Sequence, residues 1–268
     1  MQFNRSVLLQ YMASAPFALA FERSLECKIY ESLRFERPIL DVGCGEGLFA
    51  KIAFAERIDT GIDPNDREIE RASQLGSYDE LITCWGNEVP KPTGYYKTIL
   101  SNSVLEHIPD IKPVLVEINR LLAPDGMFYM TVPSDRFDQY TVLNTVLSGI
   151  GLRGHAARYR KFFNSFWKHY HYYSLECWRE LAQSCGFTVM DAYTYDPKRI
   201  CLMNDFLAPF GAFELVVKRL TNRWVLFPTV RRLLVYPAYI ASKRILKGGE
   251  RAENGGLVFL AMTKGAAT

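Results

Sequence analysis

Pro38-Ile39-Leu40-Asp41-Val42-Gly43-Cys44-Gly45-Glu46-Gly47-Leu48-Phe49 decides how the chain reads. Ile39 to Val42 is a short apolar run of the kind buried in a sheet interior. Three alternating glycines break it, and Leu48, Phe49, Ile52 and Ala53 resume at helical spacing. The pattern predicts strand, tight turn, helix start, a geometry in which backbone comes close to a ligand. A second apolar run, Ile58 to Ile62, ends at Asp63, twenty residues after Gly43. An acid in that place can hold a ribose diol, so the crevice is expected to take a nucleoside-containing cofactor.

Working outward, strands and helices alternate. A helix follows the glycine turn to about Arg57, and a second, opened near Pro64, runs to Gly76. The third strand is Asp79 to Cys84, followed by Trp85-Gly86-Asn87. The fourth is Thr98 to Ser101, leaving through Asn102-Ser103 into a helical turn at Glu106-His107. Pro113 opens a helix through Leu122, and Met127 to Val132 forms strand five. Ser174 is placed to cap a helix over Leu175–Cys185, Phe187 to Tyr195 is strand six, and Leu257 to Thr263 is a last strand suited to pair with it as a hairpin. The expected fold is α/β: a Rossmann-like, seven-stranded, mostly parallel sheet with the last strand antiparallel and helices on both faces. One domain over 1–268 is expected, with two insertions, 134–167 after strand five and 200–250 before the last strand. Upstream, Phe17, Leu19, Phe21, Leu25, Ile29 and Leu33 make one amphipathic helix over 14–34, with Glu22, Arg23, Glu26 and Lys28 on its polar side.

Composition narrows the partners. The net charge of +3 does not suit a general nucleic-acid binder, but the charge is uneven. From Lys198 to Arg251 there are eleven Lys/Arg and three Asp/Glu, a surplus of eight, so the remainder is net −5. The six cysteines stand singly without zinc spacing, which points to no metal site and to a reducing, cytoplasmic setting. The first residues lack a secretory pattern, and no run of eighteen apolar residues occurs.

Four blocks now stand in order: Leu40-Asp41-Val42-Gly43-Cys44-Gly45-Glu46-Gly47 with Asp63, Ser103-Val104-Leu105-Glu106-His107-Ile108, Leu121-Leu122-Ala123-Pro124-Asp125-Gly126, and Tyr173-Ser174 through Trp178-Arg179-Glu180-Leu181 to Cys185-Gly186-Phe187. Spread over residues 37 to 190, they resemble the class I S-adenosylmethionine-dependent methyltransferases of the small-molecule type (methyltransferase domain 11-like). The resemblance implies S-adenosyl-L-methionine as cofactor and methyl transfer to an O or N atom of a small-molecule or lipid-linked acceptor, anionic or glycosyl groups included. It implies Gly43, Cys44 and Gly45 as the cradle for the methionine end, oriented by Asp41. Cys44 is small filler in that cradle, not a nucleophile. Asp63 would take the ribose hydroxyls and Pro64 face the adenine. Ser101, Asn102 and Ser103 would face the methionine moiety. The acid that usually reads adenine after strand three is missing, which leaves Trp85, Gly86, Asn87 and Glu88 as alternatives.

In-line displacement from a sulfonium needs alignment and desolvation, and a hydroxyl acceptor also needs a base titrating near neutrality. His107, His169 and His171 qualify, with His107 and His171 the chosen pair; each also reads as a structural histidine. Arg153, Arg158, Arg160 and Lys161, among aromatics in the first insertion, suit an anionic group or an ordinary solvated face. The second insertion mixes Phe206, Phe210, Phe213, Trp224, Phe227, Leu233 and Ile240 with Lys/Arg. A helical cap, a dimer interface and contact with a membrane surface all fit this pattern. Two rival readings remain at this level. A nicotinamide dehydrogenase would want G-x-G-x-x-G, but position 48 is Leu and gives the Ser103–Ile108 block no role. A non-catalytic scaffold of the same fold draws on Trp85 and Lys97, where acids are expected.

Overall fold

The computed structural model describes residues 1–265. Its centre is one seven-stranded sheet: β1 (Ile39–Val42), β2 (Ile58–Asp63), β3 (Tyr78–Thr83), β4 (Tyr96–Asn102), β5 (Leu122–Pro133), β6 (Phe187–Tyr195) and β7 (Leu257–Lys264), in the spatial order β3-β2-β1-β4-β5-β7-β6. β1 pairs parallel with β2 (Leu40 opposite Thr60) and with β4 (Leu40 opposite Ile99). The order reverses on either side of β1, so the carboxyl ends of β1 and β4 open a crevice where ligands of such sheets collect. β7 runs antiparallel to both β5 and β6 and fills the space between them. All four residues of β1 are buried, as a strand covered on both faces requires.

Eleven α-helices clothe the sheet among the described residues. Those before β4 are α1 (Val7–Ser14), α2 (Phe17–Glu31), α3 (Leu48–Ala53) and α4 (Asp66–Leu75). Then come α5 (Ile111–Leu121), α6 (Val142–Gly149), α7 (Arg153–Trp167) and α8 (Leu175–Ser184), and finally α9 (Lys198–Thr221), α10 (Pro228–Leu234) and α11 (Tyr236–Leu246). On one face α1, α2 and α3 pack with α11 around Phe21, Leu25, Tyr30 and Phe259. On the other, α5 and α8 pack around Ile118, Phe128 and Trp178. Trp178 is fully buried, and its indole N–H donates to the Pro133 carbonyl, tying α8 to the end of β5. Ser174 caps α8 by accepting from the Cys177 N–H.

Two expectations for the N-terminal region change. The helix expected over 14–34 is α2, from Phe17 to Glu31, and a further helix precedes it across Ala15-Pro16: α1, which buries Val7, Leu8 and Met12 and packs against α2, α3, α10 and α11. On the polar side of α2 only Lys28 is exposed: Glu26 is fully buried and Glu22 and Arg23 line a cavity. The 134–167 stretch, which broke the strand–helix rhythm, holds α6 and α7, and the 198–246 stretch is helical apart from short joints.

Candidate active site

The glycine turn is shaped by its own hydrogen bonds. Gly43 N–H and Cys44 N–H both donate to the Ile62 carbonyl at 2.9 Å, and Gly45 N–H donates to Asp63 Oδ2 at 3.1 Å. The loop's donors are thus spent internally, and what it offers a ligand is close approach of Cα surface. Gly43 has φ +78°, and a Cβ there would meet Val104 Cγ1 at 2.3 Å. Gly45, at φ +52°, is the opposite case: a Cβ would meet nothing within 4 Å, because that side of the loop faces open space. Asp41 lies buried beneath, accepting from Tyr78 OH at 2.7 Å, with its pKa pushed up to about 7 by burial. Cys44 is also buried, its thiol pKa pushed up by burial, and packs against Gly61.

Asp63 holds both sides of the crevice together. Its Oδ1 accepts from Asn65 N–H at 2.9 Å and its carbonyl accepts from Cys84 N–H at 3.3 Å. Each carboxylate oxygen keeps a lone pair for a further donor. Pro64 and Asn87 are exposed at the rim, Trp85 is 66 % exposed, and Gly86 rests on Val114 and Val42. The open space at Gly45, the two-oxygen acceptor beside it and the exposed ring of Trp85 fit a nucleoside with an extended polar tail.

At the end of β4 the expectation is partly corrected. Ser101 does not face the crevice: it is fully buried, and its hydroxyl donates to the Val42 carbonyl, fastening β4 to β1. Asn102 and Ser103 stand at the crevice but converge on a residue the sequence did not single out. Glu26 accepts from Arg23 Nη1 (2.7 Å), Asn102 Nδ2 (2.8 Å), Tyr195 OH (3.0 Å) and Ser103 Oγ (3.1 Å). Asn102 Oδ1 in turn accepts from Tyr30 OH and Thr131 Oγ1. Ser103 sits at φ +53°, held there by its N–H on Thr131. A buried carboxylate with four donors is a satisfied one, and it fixes the strand end against α2 and β6.

Beyond Ser103 opens a cavity of about 280 Å³. Leu19, Phe137, Phe163, Trp167 and Leu257 form its apolar wall, and Glu22, Arg23, Glu106, His107, His169 and Asn204 its polar one. His107 Nδ1 lies 3.3 Å from the Lys168 carbonyl, which can only accept, so Nδ1 carries the proton and Nε2 is left as the basic nitrogen. His169 Nδ1 pairs likewise with Asn164 Oδ1, whose amide N–H₂ donates to Asp138. The two imidazole rings are 5.3 Å apart. Burial lowers both pKa values, that of His169 to about 4 with help from His107, so both rings are neutral at pH 7. Burial raises Glu106 to about 8, so its carboxyl is protonated there. Glu106 Oε2 and both amide atoms of Asn204 are buried at this wall without a hydrogen-bond partner among the described residues.

His171 is a correction. Its Nδ1 takes the Tyr173 hydroxyl at 2.7 Å, its Nε2 the Ile108 carbonyl at 2.9 Å, and it lies outside the cavity wall. The backbone N–H groups of Tyr170 and His171 both donate to the Glu106 carbonyl, and this pins the segment so that His169, not His171, faces inward. Arg153, Arg158, Arg160 and Lys161 also stand outside the cavity; the wall's cation is Arg23. Across the crevice, the end of α9 reaches the glycine loop: Lys218 Nζ is 2.9 Å from Glu46 Oε2, and Trp224 Nε1 donates to Glu46 Oε1. Among the described residues no three His, Cys, Asp or Glu side chains converge as a metal site.

Comparison with known proteins accords with this geometry. Residues 19–192 match the model of a methyltransferase domain family, and the chain belongs to it, among the class I S-adenosylmethionine-dependent methyltransferases. The C-methyltransferase NovU of Streptomyces niveus is 30 % identical over 51 % of this chain and 29 % of its own length. The ubiquinone biosynthesis O-methyltransferase of Yersinia enterocolitica is 29 % identical over 37 % of this chain and 43 % of its own. The chain therefore spans less than half the length of these curated relatives. A possible histamine N-methyltransferase from Thermotoga maritima shares the fold at TM-score 0.57 and 15 % identity, covering 92 % of this chain and 91 % of that one. The [4+2]-cyclase SpnF does so at 0.57 and 17 %, covering 95 % and 85 %.

Proposed function

We propose that the chain methylates a hydroxyl oxygen of an amphipathic, largely apolar small molecule, with His107 as general base. S-Adenosylmethionine, when bound, supplies a methyl group already activated by the sulfonium. Asp41, Gly43, Cys44, Gly45, Asp63, Pro64, Gly86 and Asn87 form its berth on this reading, with Asn102 and Ser103 bordering the reacting end. The protein's remaining tasks are to orient the acceptor, exclude water and remove one proton.

The observation that carries the reading is His107 itself: a neutral imidazole whose tautomer leaves Nε2 as an acceptor, 3.8 Å from Glu106 Oε1, in the cavity that begins at Ser103. The acceptor O–H donates to Nε2, which keeps the proton as the oxygen gains the methyl group. The partnerless Glu106 and Asn204 atoms supply hydrogen bonds for the acceptor's polar end, and the Phe137, Phe163 and Trp167 wall takes its apolar body. Relatives named as ubiquinone biosynthesis O-methyltransferases add support for an oxygen acceptor on a lipid-linked molecule. The test is transfer of labelled methyl to solvent extracts, with the product's methyl linkage read by NMR. His107→Gln is expected to lower kcat by about 100-fold or more without changing S-adenosylhomocysteine affinity, the ordinary size of a general-base contribution. His171→Phe is expected to retain most of kcat. A methyl on carbon or nitrogen, or a fully active His107→Gln, overturns the reading.

A further inference from the structure

The helices between β6 and β7 present an apolar face that nothing among the described residues covers. Along α9, Phe206 and Phe210 before its bend and Phe213, Val216 and Leu220 after it recur at intervals of four, three, three and four, the spacing of a helix stripe. Such a stripe belongs in a core, yet here its residues are 52–81 % exposed. Past the joint it continues through Phe227 and Val230 to Leu233 and Leu234 on α10, both over 70 % exposed. α10 is held to α9 by Arg231, paired with Glu214, so the two stripes belong to one surface. Contiguous apolar surface on this scale marks an interaction site.

Charge selects the occupant. Arg219, Arg223 and Arg232 stand along α9, the joint and α10, and Lys243, Arg244 and Lys247 on and just after α11, all exposed and none in an ion pair among the described residues. The stretch carries a surplus of eight positive charges while the rest of the chain is net negative. A second copy docking through this face by a two-fold axis would set these cations against themselves. An anionic bilayer complements both halves of the pattern, lipid tails for the stripe and headgroups for the cations. No single helix among the described residues is long and apolar enough to cross a membrane; Lys198–Gly211 and Phe213–Thr221 pass that test only as a pair bent by 51°. The geometry therefore points to helices lying in the interface.

We infer that α9–α11 form a docking surface for an anionic lipid bilayer, through which a lipid-borne acceptor reaches the active site. The inference rests on the proposed apolar acceptor only for what is delivered. The route is short, because Cys201, Asn204, Asp205 and Ala208 line the cavity from the same helix that turns Phe206 and Phe210 outward. The separation is about one helix diameter, ~10 Å.

Flotation of the full chain on vesicles tests this. The wild type is expected to partition onto phosphatidylcholine vesicles containing one-third phosphatidylglycerol at least tenfold better than onto phosphatidylcholine alone, and less as salt rises. The variant Arg232→Gln/Lys243→Gln/Arg244→Gln/Lys247→Gln should lose about 600-fold on the anionic vesicles, roughly fivefold for each of its four cations. Phe213→Ser/Leu220→Ser should lose binding on both kinds of vesicle, with an unchanged circular dichroism spectrum. A wild type without preference for anionic vesicles overturns the inference. So does reversible dimerisation that the serine variant abolishes while neither protein floats. Binding of S-adenosylhomocysteine and transfer to a detergent-dispersed acceptor, measured alongside, separate this failure from failure of the proposed chemistry.

Discussion

Replacing Glu26 tests the frame of the site most directly. Its carboxylate is fully buried and accepts four hydrogen bonds, from α2, β4 and β6 together. In Glu26→Ala the Arg23 guanidinium loses its 2.7 Å partner and keeps Ser103 Oγ, at 2.9 Å, and Glu22, at 3.6 Å. Breaking a buried ion pair from one side costs about 3–5 kcal/mol, and each stranded buried hydroxyl or amide about 1–3, though such losses in one network do not add. Arg23 keeps some solvent contact through the cavity, which holds the total near about 4 kcal/mol. At about 2–4 °C per kcal/mol for a chain of this size, Tm falls by roughly 8–16 °C. Glu26→Gln keeps one acceptor oxygen for Arg23 and Asn102 and turns its N–H₂ toward two hydroxyls that can rotate to accept, so about 1–2 kcal/mol is expected. Urea unfolding and calorimetric titration with S-adenosylhomocysteine read both consequences, since Asn102 and Ser103 lose their anchor together with the stability. An alanine variant within about 1 kcal/mol of wild type would falsify the role given to Glu26.

Two glycine substitutions separate folding from binding. Gly43→Ala places a Cβ 2.3 Å from Val104 and is expected to cost about 2–4 kcal/mol as well as ligand affinity. Gly45→Ala is expected to cost only about 1–2 kcal/mol while lowering S-adenosylhomocysteine affinity at least tenfold, because its Cβ enters the space where the ligand lies. The pH dependence of stability has an unusual sign. Burial raises Glu106 to about 8 and Asp41 to about 7 in the folded state, so each contributes stability fully present below its unfolded pKa and lost as pH rises through its folded one. His169, lowered to about 4, acts oppositely between about 6.5 and 4. Stability is therefore expected to decline from pH 6.5 to 8.5, and Glu106→Gln to flatten that decline in denaturant titrations.

What the sequence made legible was local in origin. The glycine turn, Asp63 and the Ser174 cap each depend on neighbours a few residues away, so spacing alone located them, and strand alternation gave the parallel sheet. Glu26 was illegible because its partners are 3, 76, 77 and 169 residues distant. Beside Leu25 and Ile29 it looks like the solvated shoulder of an amphipathic helix until Tyr195 and Asn102 are brought against it. Which of the three clustered histidines face the cavity was illegible for a related reason. His169 and His171 are two residues apart, and only the two N–H groups on the Glu106 carbonyl decide which ring turns inward. Ser101 and Asn102 alternate across β4, which puts Ser101 in the sheet interior, while Ser103 lies past the strand end at φ +53° and leaves the alternation.

The pairing of Tyr195 with Leu257 has a consequence for how such a chain diversifies. The excursion that carries α9, α10 and α11 departs and returns at facing positions of two adjacent antiparallel strands. Gly256 N–H donates to the Asp196 carbonyl and Asp196 N–H to that of Gly249, which closes its neck. Since the entropy of closing a loop grows only slowly with its length, a two-residue turn or sixty residues of helix can occupy that neck with nearly the same sheet. The segment is an exchangeable cassette: replacement there rewrites what approaches the cavity and removes the Lys218 and Trp224 contacts to Glu46 of the glycine turn, while Asp63 keeps its own partners.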